Sequence, residues 1–188
     1  MTEYGGSIPA ELRESGGPAR RGFRWVPRRA PRRVPLGSRY RVLLVCSSGG
    51  HAAQLVRLRP WWERHERTWV SFDTPDVASL LAGEHVIHAF HPTTRNIPNL
   101  LRNLSLSIKV LRRERPDVIV SDGAGLAVPF FWVGRLLGCR TVYLEVYDRV
   151  SSPTMTGRLC QPVTDLFLVQ WREQLGHYRG AQLAGPVY

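Results

Sequence analysis

From Arg41 onward the chain alternates short β-branched apolar runs with longer stretches in which apolar residues recur every three or four positions. The short runs predict strands over 42–46, 68–72, 85–89, 118–121, 141–144 and 166–169. The longer pattern predicts helices over 51–64, 76–81, 97–114, 126–137 and 154–161. The punctuation agrees. Gly138 stands where a helix C-terminal stop belongs, and Pro116 keeps Arg115 out of helical angles, so the long helix ends there and a strand begins.

Strands that read as continuous apolar runs, separated by helices, belong to a parallel sheet covered on both faces. The expected fold class is therefore α/β, a Rossmann-like parallel sheet with helices on both faces. At 188 residues the chain has room for one such domain plus a tail. Residues 1–39, rich in Gly, Pro and Arg, read as a disordered arm, and 40–188 as the single folded domain.

Charge changes the picture mainly at the arm. Residues 1–40 hold nine arginines against three glutamates, more than half of the formal net charge of +11. Clustered cations suit nucleic acid phosphates or an anionic membrane surface, and an arm without a dedicated partner has the same composition. Lys109 is the only lysine, so the arginines reflect an Arg-for-Lys bias as much as a selection for phosphate forks. Cys46, Cys139 and Cys160 are odd in number and lie in apolar runs, which fits a reducing compartment and no disulfide framework. Neither an 18-residue apolar span nor an N-terminal signal sequence is present, so the expectation is a cytoplasmic protein.

Chemistry concentrates in three loops, each following a predicted strand. The first, Ser47-Ser48-Gly49-Gly50-His51, opens a helix with bare backbone amides, hydroxyl donors and an imidazole; Gln54 lies one turn further on. Beyond the carboxyl end of a parallel strand, such a turn suits a phosphate, with His51 as donor or base. A plain tight turn capped by Ser48, with His51 on the surface, would read the same way. The second loop, Ser121-Asp122-Gly123-Ala124-Gly125, repeats the arrangement. Asp122 repels a phosphate, so it is expected to cap the following helix or to accept from a sugar hydroxyl. In the third, Glu145 offers an acceptor for sugar hydroxyls and Arg149 a cation for phosphate, unless the two simply pair with each other. Neither glycine loop follows the dinucleotide fingerprint or the phosphate-loop pattern, which disfavours NAD and ATP. His85, His88 and His91 alternate across a strand, so no metal site is expected from them.

The 97–114 helix carries Ile97, Leu100, Leu101, Leu104, Ile108 and Leu111 on one stripe and Arg102, Lys109, Arg112 and Arg113 elsewhere. Such a stripe either packs on the sheet or lies at an anionic membrane surface.

Three stretches, SSGGHAAQL (47–55), SDGAGLAVPFF (121–131) and YLEVYDRVSSPTMTGRLCQPVTDLFLVQW (143–171), together resemble the asparagine-linked glycosylation protein fourteen family and its bacterial polysaccharide-biosynthesis relatives. The resemblance covers everything after the arm. It implies the acceptor-side half, equivalent to the N-terminal half, of a GT-B glycosyltransferase. Such a subunit is inactive alone. It sits on the inner face of the cell membrane and extends a polyprenyl-diphosphate-linked sugar for a surface polysaccharide or lipid-linked oligosaccharide. Its partner would be a donor-side catalytic subunit carrying most of the UDP-sugar site, with no cofactor held tightly here and no nucleic acid.

Carried onto this sequence, the resemblance makes His51 the catalytic base or orienting group. Ser47, Ser48, Gly49, Gly50, Gln54, Gly123, Gly125, Glu145 and Arg149 become acceptor and diphosphate contacts. Pro186, Val187 and Tyr188 become partner contacts, and Leu100, Leu101, Arg102 and Leu104 membrane contacts. Two departures from the family stand out: no N-terminal membrane span is present, and Asp122 makes its loop acidic. The competing expectations are a complete single-chain nucleotide-sugar enzyme, which a domain of this size argues against, and a nucleic-acid-binding protein acting through the arm.

Overall fold

A computed structural model describes residues 39–93 and 95–187. Residues 1–38, which hold nearly all of the expected arm, lie outside the described residues. Seven parallel strands form one sheet: β1 (Arg41–Val45), β2 (Glu66–Phe72), β3 (Val86–Ala89), β4 (Val118–Ser121), β5 (Arg140–Leu144), β6 (Leu166–Val169) and β7 (Gln182–Leu183). Their order across the sheet is β3-β2-β1-β4-β5-β6-β7. The helices are α1 (Gly50–Arg57), α2 (Arg59–Trp62), α3 (Pro75–Leu80), α4 (Ile97–Glu114), α5 (Ala124–Leu137) and α6 (Met155–Cys160). The expected fold class holds.

The order follows from the strand residues. In β1, Leu43 and Val45 face one side and join a core with Phe130, Phe131 and Val110 from α5 and α4. Val42, Leu44 and Cys46 face the other and meet Leu55, Trp62 and Val77 from α1, α2 and α3. A strand apolar on both faces requires cover on both, and the crossover helices supply it. The chain runs outward from β1 to β3, then returns to β4 on the other side of β1. That reversal leaves a crevice beyond the carboxyl ends of β1 and β4, where open α/β sheets bind ligands.

Two expectations need correction. The first helix does not run through 51–64. It breaks at Leu58 and restarts as α2, because the ring of Pro60 would collide with the carbonyl four residues back in a continuous helix.

The second concerns α4, whose boundaries match but whose stripe divides. Val110 and Leu111 are buried, whereas Ile97 and Leu101 are 69% and 60% exposed and Leu100 and Leu104 are also exposed. The inner face of the first turns is polar, formed by Asn99, Asn103 and Ser107. Below it lies the chain leaving β3, whose backbone has no strand neighbour on that side. Asn103 accepts from Phe90 N–H at 2.9 Å and donates to Phe90 C=O at 2.8 Å, and Asn99 donates to Pro92 C=O at 3.0 Å. Buried backbone groups must be paired, so asparagine takes positions where a helix on a sheet ordinarily buries leucine.

Candidate functional site

The two glycine loops meet at the crevice. β1 ends at Val45, Ser47 and Ser48 follow, Gly49 turns with φ 68°, and α1 starts at Gly50. The Gly49 amide is occupied: its N–H donates to Asp76 Oδ2 at 2.6 Å, a bond that holds the Asp76 carboxyl below its usual range. Ser48 does not cap α1, whose N-cap is Gly49.

On the second loop, Gly123 has φ 118°, and a Cβ there would come within 2.8 Å of the Tyr143 hydroxyl and 3.6 Å of His51 Cε1. Only glycine lets the imidazole and the tyrosine approach this backbone together. A Cβ on Gly125 would press on Thr93 at 3.2 Å.

Asp122 departs from its expected role. The N-cap of α5 is Gly123, with no side-chain cap. The Asp122 side chain instead turns inward, fully buried, with Oδ2 3.1 Å from His51 Nδ1, while His51 keeps 29% of its side chain exposed. This is an ion-pair contact off the line of a well-aligned hydrogen bond, and among the described residues no other residue meets hydrogen-bond geometry with either Asp122 oxygen. Burial pushes Asp122 up to about 6, against the pull of His51 and with a further push from Glu145. Burial opposes charge on His51 as well, but the Asp122 contact, followed by the more distant Asp148 and Glu145, raises its pKa above the ordinary value. The charge states of buried Asp122 and half-buried His51 therefore depend on each other. With Nδ1 turned to the carboxylate, Nε2 is the nitrogen left for a ligand.

Glu145 is corrected too. It is fully buried and does not reach the crevice. Thr154 donates to its carboxylate at 3.1 Å, Tyr178 donates through its hydroxyl, and Val146 N–H adds a bond at 3.1 Å. A Cβ on Gly157 would enter this cluster, 2.6 Å from Glu145 Oε2 and 2.9 Å from Thr154 Oγ1. Glu145 therefore organises its loop from within, and Arg149, on the exposed side, does not pair with it.

Support for the third motif, and for the residues just after it, lies underneath that loop. Gln170, Trp171, Gln174 and His177, all following β6, engage the carbonyls of Glu145, Tyr147, Arg149 and Ser151 in turn. Every second carbonyl of the loop is gripped by a side chain, so its backbone is fixed where it borders the crevice.

Two connected hollows result, sharing His51, Val146 and Asp148. One, of about 240 Å³, is completed by Gly50, Gln54 and Tyr147. The other, of about 210 Å³, is walled by Asp122, Gly123, Ala124, Arg149, Thr154 and Thr156 among others. The expected residues Gly50, His51, Gln54, Gly123 and Arg149 are thus brought together. Asp148, Tyr147, Thr154 and Thr156 belong with them. Sequence reasoning missed these four, although all lie within the third motif.

Elsewhere, Val187 N–H donates to Gln170 Oε1 at 2.7 Å and Pro186 is exposed, while Tyr188 lies outside the described residues. Arg102 is exposed and bonds Asn99 Oδ1 at 3.2 Å. Among the described residues no helix is long and apolar enough to cross a membrane.

Comparison with known proteins supplies the family. Residues 86–187 match the model described as "Oligosaccharide biosynthesis protein Alg14 like". The chain belongs to this family.

Relatives named UDP-N-acetylglucosamine transferase subunit ALG14 include that of Candida albicans, 26% identical over 166 residues covering 76% of this chain and 75% of the relative. The Homo sapiens protein is 26% identical over 69% of this chain and 74% of its own length. Among solved structures, Acinetobacter baumannii MurG superposes with a TM-score of 0.59 at 14% identity, over 70% of this chain and 41% of MurG. Anabaena HepE, solved with UDP and glucose, gives 0.55 at 16% identity, over 76% of this chain and 42% of HepE. These likenesses establish a Rossmann-like domain of the GT-B kind. The chain spans about two-fifths of these two solved structures.

Proposed function

We propose that this chain is the acceptor-binding, partner-recruiting subunit of a heteromeric UDP-sugar-dependent glycosyltransferase that extends a polyprenyl-diphosphate-linked sugar. The observation that carries the reading is the His51–Asp122 pair, seated in the crevice of a domain that belongs to a family of transferase subunits. His51 Nε2 takes the proton from the acceptor hydroxyl as that oxygen bonds to the anomeric carbon of the UDP-sugar and UDP departs. Asp122 fixes the ring and stabilises the charge that His51 gains.

One domain of this size supplies one side of such a reaction. The UDP-sugar is therefore held mainly by a donor-side catalytic partner, and Pro186, Val187 and Tyr188 form part of the contact with it. The acceptor diphosphate lies beside Arg149 and the second glycine loop.

The exposed leucines of α4 support attachment to the inner face of the cell membrane. Leu100, Leu101 and Leu104 face outward beside Arg102, and α5, packed against α4, adds exposed Trp132 and Leu136. Apolar residues beside cations suit a lipid surface with anionic head groups.

The test is co-purification with a donor-side glycosyltransferase subunit, followed by transfer from UDP-sugars to a polyprenyl-diphosphate-sugar. Activity is expected only from the pair, and His51→Ala is expected to lower it by about 10² to 10⁴-fold while the complex persists. Activity of this chain alone, or an unaffected His51→Ala pair, would overturn the reading.

A further inference from the structure

The hollow bounded by α1 divides the labour of the crevice in a way the glycine loop alone does not suggest. Gln54 is 4% exposed, yet its Nε2 has no hydrogen-bond partner among the described residues. It lies three residues after His51 on α1, so both side chains project from one helix face into the same hollow. A buried amide donor left unpaired carries an uncompensated desolvation cost. That cost is recovered when a ligand supplies the partner.

The chemistry of the walls selects the ligand. The Asp148 carboxylate offers acceptors, the Gln54 carboxamide offers a donor, and Val146 and Tyr147 supply apolar surface; neither lysine nor arginine lines this hollow. One amide of the glycine loop, that of Gly49, is already bonded to Asp76. A diphosphate would therefore meet the Asp148 carboxylate here with no arginine or lysine to offset it. A pyranose ring has what the walls lack: hydroxyls that donate to Asp148 and accept from Gln54, and a C–H face for Tyr147. The cation of the crevice, Arg149, lies in the neighbouring hollow.

Resting on the acceptor-side reading above, we propose that Gln54 is the residue that selects the acceptor: its carboxamide hydrogen-bonds the terminal pyranose of the acceptor in the hollow beside His51, and the diphosphate occupies the separate hollow beside Arg149. The first glycine loop then serves the sugar, and the assignment of Gly49 and Gly50 to the diphosphate is replaced.

Saturation-transfer NMR on the full chain tests this with methyl β-glucoside and methyl N-acetyl-β-glucosaminide as probes, and inorganic pyrophosphate or UDP-N-acetylglucosamine as competitor. At least one glycoside is expected to receive saturation, and Gln54→Met is expected to weaken its binding at least tenfold. Gln54→Glu, which keeps the size and loses the amide donor, guards against a packing defect and should weaken binding likewise. Pyrophosphate should leave the signal in place. The proposal is overturned if neither glycoside binds, if both variants bind as the wild type does, or if pyrophosphate or the nucleotide sugar displaces the glycoside. Glycoside binding without transfer by any pair would retain the Gln54 site and sink the subunit reading. Transfer unaffected by either variant would do the reverse.

Discussion

His51 owes its chemistry to a residue whose side chain is hidden. Its imidazole is held above the ordinary pKa because a fully buried carboxylate 3.1 Å away outweighs the cost of burying its charge. The sign of the pH effect follows. A base must be unprotonated to act, so transfer by the pair should rise with pH through a midpoint above 6.5, the ordinary histidine value. Asp122→Asn keeps the shape and removes the charge, while burial still opposes protonation. The midpoint should therefore move to lower pH as the plateau falls, and the His51 Cε1 proton, followed by NMR, should titrate at correspondingly lower pH. A plateau that falls with no shift in either titration would reduce Asp122 to a packing role. The sequence made His51 legible because glycines and a strand end flagged it. It could not reveal the pairing, since Asp122 lies 71 positions away and only the adjacency of β1 and β4 unites them. A local reading of Asp122 sees a residue before a helix and infers a cap; burial in the tertiary structure overrides that preference.

At the scale of elements, helix boundaries were readable except at the Leu58 break between α1 and α2, and helix faces were not. The 97–114 helix appears where the apolar period placed it, flanked by the Asn96 cap and Pro116. Its inner face escaped the reading because hydrophobic patterning assumes that a helix docks on side chains, whereas the first turns of α4 dock on bare backbone. Two substitutions separate the faces. Asn103→Leu, hydrophobic by any scale, leaves the Phe90 N–H and C=O without partners and should cost about 2 kcal/mol in urea unfolding. Leu101→Asp, on the exposed side, should change stability by no more than about 0.5 kcal/mol yet weaken sedimentation with vesicles containing anionic lipid. The third motif teaches a related lesson. Its length signalled importance, but Glu145 looked like a ligand contact because sequence cannot tell an exposed carboxylate from one enclosed by Thr154 and Tyr178.

Across the whole molecule, function is graded from the middle of the sheet outward. The loops bearing His51 and Asp122 follow β1 and β4, the third and fourth of seven strands, while the segment assigned to the partner continues from β7, an exposed two-residue strand at one edge. Strands with neighbours on both sides open only with the whole domain, whereas a short edge strand frays on its own. Amide hydrogen exchange should accordingly be slowest in β1 and β4 and fastest in β7 and the residues after it; comparable protection in both regions would contradict this gradient. Mild denaturant would then release β7 while the central loops stay assembled. Subunit dissociation and loss of sugar binding would become two transitions, the first reversible by simple dilution because the template for re-docking never came apart.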